Sequence, residues 1–156
     1  MTGGGVDWLE PFQDVDYGYR EFLAQVGILV FGRATFEQIQ GHEGGWPYEC
    51  KRGMVVTSTP LTSPPAGVSP WHEGVPPLIS HLRGQKADAW VVGGAALQAS
   101  FLEAGALDQI EIFVIPLLLG SGVPLFAELS GPRPAKLLGT RTLDKGMLHL
   151  SYGFGE

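Results

Sequence analysis

The architecture of this chain follows most directly from residues 89–104, which read AWVVGGAALQASFLEA. Four apolar residues in a row, 89–92, are typical of a strand that is buried on both faces. Two glycines follow, and residues 95–104 have the composition of a helix. Parallel sheets with helices on their faces are built from such units of strand, glycine turn and helix. The stretch therefore predicts an α/β fold.

The same unit occurs earlier in the chain. Spaced apolar residues predict a helix over 16–26, which Asp16 caps and Gly27 ends. The run ILVF at 28–31 then predicts a second buried strand, closed by Gly32 and followed by a short helix over 35–40. The remaining predictions are strands at 54–57, near Val68 and at 108–116, a helix at 79–82, and loops at 1–15, 41–50 and 60–77.

The C-terminal segments at 136–141 and 147–154 predict an antiparallel hairpin, for which Asp144-Lys145-Gly146 supplies the turn. The predicted fold class is thus a three-layer α/β fold, with a mostly parallel central sheet, flanking helices and this hairpin. A chain of 156 residues fits one domain, 1–156.

Composition excludes several function classes. A single cysteine, Cys50, allows neither an internal disulfide nor a thiolate zinc site, and the four histidines lack metal-ligand spacing, so no metal is expected. A net charge of -6 without a basic cluster argues against nucleic acid as a partner. The N-terminus lacks a signal-peptide pattern, and no apolar run has the length of a membrane span. We expect a cytoplasmic protein.

Phosphate-compatible residues follow three of the predicted strands. At Gly93-Gly94 the missing side chains allow a phosphate to approach the backbone, and the amides and dipole of the next helix point toward it. Arg33 could bind a phosphate through its guanidinium while Thr35 caps a helix. Thr57, Ser58 and Thr59 offer hydroxyl groups.

Each of these signals has an ordinary structural alternative. The two glycines can form a tight turn for packing, the arginine can be a surface residue beside a helix cap, and the hydroxyls can form a polar turn. What favours a ligand is their shared position, because the carboxyl ends of parallel strands form one edge of the sheet, where ligands bind. Three such sites at one edge predict a ligand with more than one phosphate, such as a dinucleotide.

These residues resemble the dihydrofolate reductase superfamily, and within it the branch that contains the reductase domain of bacterial riboflavin biosynthesis. GGVDWL (4–9) resembles the mobile loop beside the active site, and LVFGRATFE (29–37) the cofactor turn. VVTSTP (55–60) resembles the segment that receives the adenosine 2′-phosphate. The stretch at 90–112 is similar to the pyrophosphate turn with its helix and next strand, and PLLLGSGVPLF (116–126) to a characteristic loop of the branch.

The resemblance implies a dihydrofolate reductase-like fold and an NADPH-dependent reductase. Such enzymes transfer a hydride to a pteridine, a pyrimidine or a related heterocycle, including 5-amino-6-(5-phosphoribosylamino)uracil. Arg33 with Thr57 or Ser58 would bind the 2′-phosphate, and Thr35 the phosphate bridge. The implied cofactor-binding residues are Gly32, Arg33, Ala34, Thr35, Thr57, Ser58, Val92, Gly93, Gly94, Ala95, Ala96 and Leu97.

The resemblance also suggests catalytic and substrate-binding residues. Asp16 occupies the place of a catalytic carboxylate, although it can equally be a helix cap, and Asp7 is its rival. Trp8 and Trp46 would form walls of the substrate pocket, with core anchoring as the alternative for each. Leu119 and Gly120 would contact substrate from the characteristic loop.

One departure from the family pattern leaves a second function open. The family's chain normally begins with a central strand, and no such strand precedes GGVDWL. A gap at that position would leave strand edges unpaired, which favours association, and we expect a homodimer. The alternative function is a non-catalytic nucleotide-binding or dimerisation module on the same scaffold. A flavin-binding oxidoreductase is a third interpretation.

Overall fold

The structure is a computed structural model that describes residues 5–155. Its helices are α1 (Tyr19–Gln25), α2 (Arg33–Gln40), α3 (Val75–Arg83) and α4 (Ala95–Glu103), with short 3₁₀ helices at Asp7–Phe12 and Asp144–Gly146. Its strands are β1 (Val26–Gly32), β2 (Arg52–Val56), β3 (Val68–Trp71), β4 (Asp88–Gly93), β5 (Gln109–Val114), β6 (Lys136–Thr142) and β7 (Leu148–Gly153).

Four strands form a parallel sheet in the order β3-β2-β1-β4. β1 lies inside this sheet, and its residues 28–31 are fully buried. Its side chains alternate between two apolar clusters, one on each face. Leu29 and Phe31 pack with Phe36 of α2, whereas Ile28 and Val30 pack with Leu78, Phe101 and their neighbours on α3 and α4. The predicted three-layer α/β fold is confirmed.

The other three strands form an antiparallel sheet in the order β5-β7-β6. β6 and β7 are the predicted C-terminal hairpin, and Lys145 takes a left-handed conformation (φ +61°) in the turn between them. The two sheets are separate, because β4 pairs with β1 and β5 pairs with β7, each along one edge. Within residues 5–155, β4 and β5 therefore each have one edge without a paired strand.

The predicted helix over 16–26 was too long at both ends. α1 begins at Tyr19, and the Asp16 carboxylate accepts hydrogen bonds from the amides of Gly18 and Arg20, so it anchors the turn that precedes the helix. Gly27 lies within β1 and does not end α1. A Cβ atom there would lie 2.6 Å from the Ala87 Cβ, so this glycine permits close packing beside β4.

Other boundaries also differ from the predictions. α2 begins at Arg33, two residues before the predicted start. α3 begins at Val75 and carries Pro76 and Pro77 in its first turn, where the missing amide hydrogens of proline cost no helical hydrogen bond. Part of the predicted loop 1–15 is the 3₁₀ helix at Asp7–Phe12, and residues 1–4 of that loop lie outside the described residues.

Within residues 5–155, every helix is too short or too polar to cross a lipid bilayer.

The buried strand β1 should dominate the stability of the fold. Leu29→Ala would remove a fully buried side chain and should lower the free energy of unfolding by about 2–5 kcal/mol, measured by urea denaturation. The matched variant Leu118→Ala removes a side chain that is 99% exposed and should change it by less than about 0.5 kcal/mol. Equal losses in the two variants would contradict this assignment of the core.

Candidate functional site

Two helix starts lie side by side at one edge of the parallel sheet. β1 runs through Gly32 into α2, and β4 runs through Gly93 and Gly94 into α4. The register pairs Phe31 with Gly93, so the two strands end at the same level. The sequence prediction that these turns share an edge of the sheet is confirmed.

Glycine is required for the close approach of the two turns. A Cβ atom on Gly32 would lie 3.4 Å from the Gly94 nitrogen, and a Cβ atom on Gly94 would lie 3.3 Å from the Thr35 Oγ1. Gly93 has φ +152°, a conformation that side chains disfavour, and the bond between Gly93 and Gly94 is cis. The glycines thus serve packing, which was the alternative interpretation, and they also leave both helix starts clear of their own side chains.

The first turns of α2 and α4 have the properties of an anion-binding site. Neither helix has a side-chain cap, and neither carries an acidic residue in its first turn. The first amides of an α-helix have no acceptor within the helix, and the helix dipole adds about half a positive charge at this end. Two such ends side by side form a neutral-to-positive cradle without a lysine or a metal ion.

The predicted cofactor-binding residues are distributed over the two turns. Gly32 is the N-cap residue of α2, followed by Arg33 and Ala34, while Ala95, Ala96 and Leu97 open α4 after the half-buried Val92 of β4 and its glycines. Thr35 was predicted to cap α2, and this prediction was wrong. Thr35 is the third residue of the helix, and its hydroxyl lies against the Gly93-Gly94 turn.

The Arg33 guanidinium reaches the end of β2. Its Nη1 donates to Thr57 Oγ1 at 3.3 Å, to Thr59 Oγ1 at 3.0 Å and to the Pro60 carbonyl at 3.1 Å. The structure therefore brings Arg33 together with two of the three candidate hydroxyl groups, those of Thr57 and Thr59. Ser58 lies between the two threonines and is exposed.

Arg33 also forms an ion pair with Glu37, one turn later in α2, through its Nε. Sequence reasoning missed this partner, although the spacing of four residues on a helix is a recognisable signal. The Arg33 side chain is 32% exposed and that of Glu37 57%, so the pair is accessible to solvent and weak. An incoming phosphate would compete with Glu37 for the guanidinium.

The proposed catalytic residues lie on the N-terminal segment. Asp16 is exposed, and its carboxylate accepts hydrogen bonds from the two backbone amides described above. Asp7 is exposed in the first turn of its 3₁₀ helix. Trp8 in that helix donates its indole hydrogen to the Gly5 carbonyl at 2.9 Å. The catalytic and substrate-binding roles of these residues stay predictions.

Lys145 fastens the N-terminal segment to the hairpin turn. Its ammonium group donates to the Pro11 carbonyl and to the Asp14 carboxylate. The hydrogen bond from Lys145 holds the pKa of Asp14 below its usual value. Two segments that are distant in sequence are joined by this contact.

Trp46 is anchored on the core, which was the alternative given for it. Its ring packs against Phe31, Phe36 and Tyr48, with centroids 5.4–5.7 Å apart. Burial also raises the pKa of Tyr48, which keeps its phenol neutral. The buried indole nitrogen of Trp46 has no hydrogen-bond partner within residues 5–155. Leu119 and Gly120 are exposed and lie in the loop that follows β5.

Known proteins resemble this chain in sequence and in fold. The family model described as RibD C-terminal domain matches residues 75–149, which contain the Gly93-Gly94 turn and α4. The YwjB protein of Bacillus subtilis strain 168 is 35% identical over 140 residues, a match that covers 88% of this chain and 80% of YwjB. The chain belongs to the RibD C-terminal domain family.

Solved structures agree with this membership. A candidate riboflavin biosynthesis protein from Shewanella sp. PV-4 superposes with a TM-score of 0.84 at 26% identity, over 98% of this chain and 89% of that one. Dihydrofolate reductase from Enterococcus faecalis, solved with NADP(H), superposes with a TM-score of 0.71 at 20% identity, over 99% and 88% of the two chains. The RibD C-terminal domain family thus shares the dihydrofolate reductase-like fold.

Proposed function

We propose that this RibD C-terminal domain protein is an NADPH-dependent reductase that transfers a hydride to a small heterocycle. The proposed substrate class is a pteridine or a pyrimidine, including 5-amino-6-(5-phosphoribosylamino)uracil. The observation that carries the proposal is the pair of uncapped helix starts at Gly32 and Gly94, with the Arg33 cation beside them. Family membership supports reductase chemistry, and the bound coenzyme of the Enterococcus faecalis enzyme supports the cofactor class.

The residues present fit a dinucleotide with an additional phosphate. The first amides of α4, at Ala95, Ala96 and Leu97, would hold the pyrophosphate, with the Thr35 hydroxyl beside it. Arg33, Thr57 and Ser58 would hold the 2′-phosphate, since a guanidinium with hydroxyl groups suits a dianion. A Cβ atom at Gly94 would enter this cradle, which is why a glycine at that position fits the proposal.

When bound, the nicotinamide supplies the hydride, so the protein contributes binding, orientation and a proton. The helix dipoles of α2 and α4 would hold the phosphates without moving, which fixes the other end of the coenzyme at the carboxyl edge of the sheet. Asp16 and Asp7 are the proposed proton donors, and Trp8, Leu119 and Gly120 the proposed substrate contacts, whereas Trp46 packs on the core. The homodimer also stays a prediction, which native mass spectrometry of the purified chain measures.

The proposal is tested first by titration of the purified chain with NADPH, followed by its fluorescence. We expect saturable binding, and oxidation of the coenzyme at 340 nm when a panel of pterins and aminopyrimidines is added. Binding without oxidation by any of them would favour the alternative, a non-catalytic nucleotide-binding module. Absence of binding would refute both functions.

Gly94→Val should weaken NADPH binding by about 10–100-fold, because its side chain would crowd Thr35 and the phosphate path. The measurement is the same fluorescence titration. Gly131→Val is the matched control, since a Cβ atom at Gly131 has no neighbour within 4 Å. Circular dichroism establishes that both variants fold, and unchanged affinity in a folded Gly94→Val protein would argue against the cradle.

Arg33→Ala should discriminate between the two coenzymes. Loss of charged hydrogen bonds is worth about 1.5–3 kcal/mol, so NADPH affinity should fall roughly 10–100-fold while NADH affinity changes little. Glu37→Gln should act in the opposite direction, because it removes the carboxylate that competes for the Arg33 guanidinium. Equal loss of NADPH and NADH in Arg33→Ala would show that Arg33 does not read the 2′-phosphate.

A further inference from the structure

The carboxyl end of β3 extends the edge on which the candidate site lies. In the sheet order β3-β2-β1-β4, the end of β3 is next to the end of β2. The Thr57 amide, directly after β2, donates to the carbonyl of Trp71, the last residue of β3, at 3.1 Å. The next residue along the chain is His72. A histidine is therefore placed beside the hydroxyl groups that follow β2.

Thr57 connects this histidine to Arg33. The His72 Nδ1 lies 2.7 Å from the Thr57 carbonyl oxygen, which is a hydrogen-bond distance. The hydroxyl of the same threonine accepts from the Arg33 Nη1 at 3.3 Å and lies 3.3 Å from the Thr59 hydroxyl. The imidazole, the two hydroxyls and the guanidinium thus form one cluster across the ends of three strands. His72 and Thr59 are exposed, so a ligand can reach the cluster.

The carbonyl contact determines which ring nitrogen of His72 carries a hydrogen. A carbonyl oxygen only accepts hydrogen bonds, so Nδ1 must donate to Thr57. In the neutral imidazole the other nitrogen, Nε2, is then an acceptor with a lone pair. Because Nδ1 is used within the fold, Nε2 is the nitrogen that is left for a ligand.

This tautomer makes phosphate binding depend on protonation. A phosphate group offers three acceptor oxygens, which cannot form a hydrogen bond with the lone pair of Nε2. The imidazolium donates from both nitrogens, so it keeps the contact with Thr57 and adds a charged hydrogen bond to a phosphate. A nearby anion in turn favours the protonated ring. Proton uptake at His72 and phosphate binding therefore promote each other.

The charged groups around this end of the sheet act on the His72 ring in both directions. Glu73 follows His72 in the chain and favours the imidazolium. Arg33 of α2 opposes it, and its charge is partly offset by its ion pair with Glu37. His81 of α3, which stacks on the last residue of β3 with ring centroids 5.3 Å apart, also opposes it when protonated. A bound dianion would relieve the repulsion among these basic groups.

We propose that His72 is a further contact of the 2′-phosphate and that its protonation sets the preference of this chain for NADPH over NADH. On binding of NADPH, Nε2 takes up a proton from solvent and donates to the phosphate. NADH has no 2′-phosphate and leaves the ring unchanged. The preference for NADPH therefore rises as the pH falls through the range of about 8 to 6, in which imidazoles gain a proton. This inference rests on the proposed reductase function and adds a proton-linked determinant of coenzyme choice.

The test measures the Kd values of NADPH and NADH by fluorescence titration at pH 6.5 and at pH 8.0. In the wild-type chain, the ratio of the NADH Kd to the NADPH Kd should be about three- to tenfold larger at pH 6.5. His72→Gln has an amide that can donate to a carbonyl but no charge, so its ratio should change by less than about twofold. The phosphate itself gains a proton near pH 6 in every variant, so each variant is compared with the wild type at the same pH.

Two further variants separate charge from position. His72→Lys carries a cation at both pH values, so its ratio at pH 8.0 should equal or exceed that of the wild type. His42→Gln is the matched control, because His42 is also exposed and its Nδ1 also contacts the backbone, at the Gly44 amide in the loop after α2. It should keep the wild-type dependence on pH. Circular dichroism establishes that all variants fold.

Calorimetric titration at pH 7.5, in two buffers of different ionisation enthalpy, counts the protons directly. Binding of NADPH to the wild type should take up roughly 0.3–0.8 of a proton more than binding of NADH, and this difference should be lost in His72→Gln. Equal pH profiles in wild type and His72→Gln would overturn the inference and leave the reductase function standing. Equal losses of NADPH and NADH affinity in His72→Gln would indicate a structural role and overturn it too. Absence of NADPH binding at both pH values would refute the reductase function together with this inference.

Discussion

The pairing of β1 with β4 is the constraint on which the candidate site depends. It brings Phe31 opposite Gly93, so that two strands end at the same level and two helices start side by side. A Cβ atom at Gly32 would already lie 3.4 Å from the Gly94 nitrogen, so the two turns are as close as glycine allows. Since residues 28–31 of β1 are fully buried, the position of both helix dipoles is held by the core of the parallel sheet.

The positive charge of the candidate site comes from two fixed helix dipoles and from the Arg33 side chain, whose contacts can be exchanged. The helix starts are permanent partial charges that need no rearrangement to meet an anion. Arg33 is different, because its guanidinium contacts Glu37, two threonine hydroxyls and two carbonyls. Glu37 would compete with an incoming anion for this charge. In the proposed function, Glu37 would thus weaken the contact of Arg33 with the 2′-phosphate, which distinguishes NADPH from NADH.

The two sheets differ in the burial of their residues. The parallel sheet carries the dense apolar clusters and the helix starts, whereas the antiparallel sheet includes β6, in which every residue is exposed. Within residues 5–155, β4 and β5 each have one unpaired edge, and these edges border the space between the two sheets. Strand pairing thus holds each of the two sheets together. The two sheets are connected to each other by α4, by loops and by contacts such as that of Lys145 with the N-terminal segment.

Sequence patterns were sufficient for the strands and α-helices and for their order along the chain. The apolar runs at 28–31 and 89–92, each ended by glycine, predicted buried strands, helices and the shared edge, because burial and turn chemistry act over short stretches of chain. The predicted boundaries of helices and strands were wrong where a contact with a residue distant in sequence decided the local conformation. Gly27 was read as a helix stop, yet its contact with Ala87 places it inside a strand.

The contacts of side chains required the folded structure. Trp46 had equal claims to a pocket and to the core, and its neighbours Phe31 and Phe36 on two other elements place it on the core. The hydrogen bond from Arg33 to Thr59 likewise joins two segments that are distant in sequence. Local patterns encode which residues are buried, but which residues meet depends on how strands pair and helices pack.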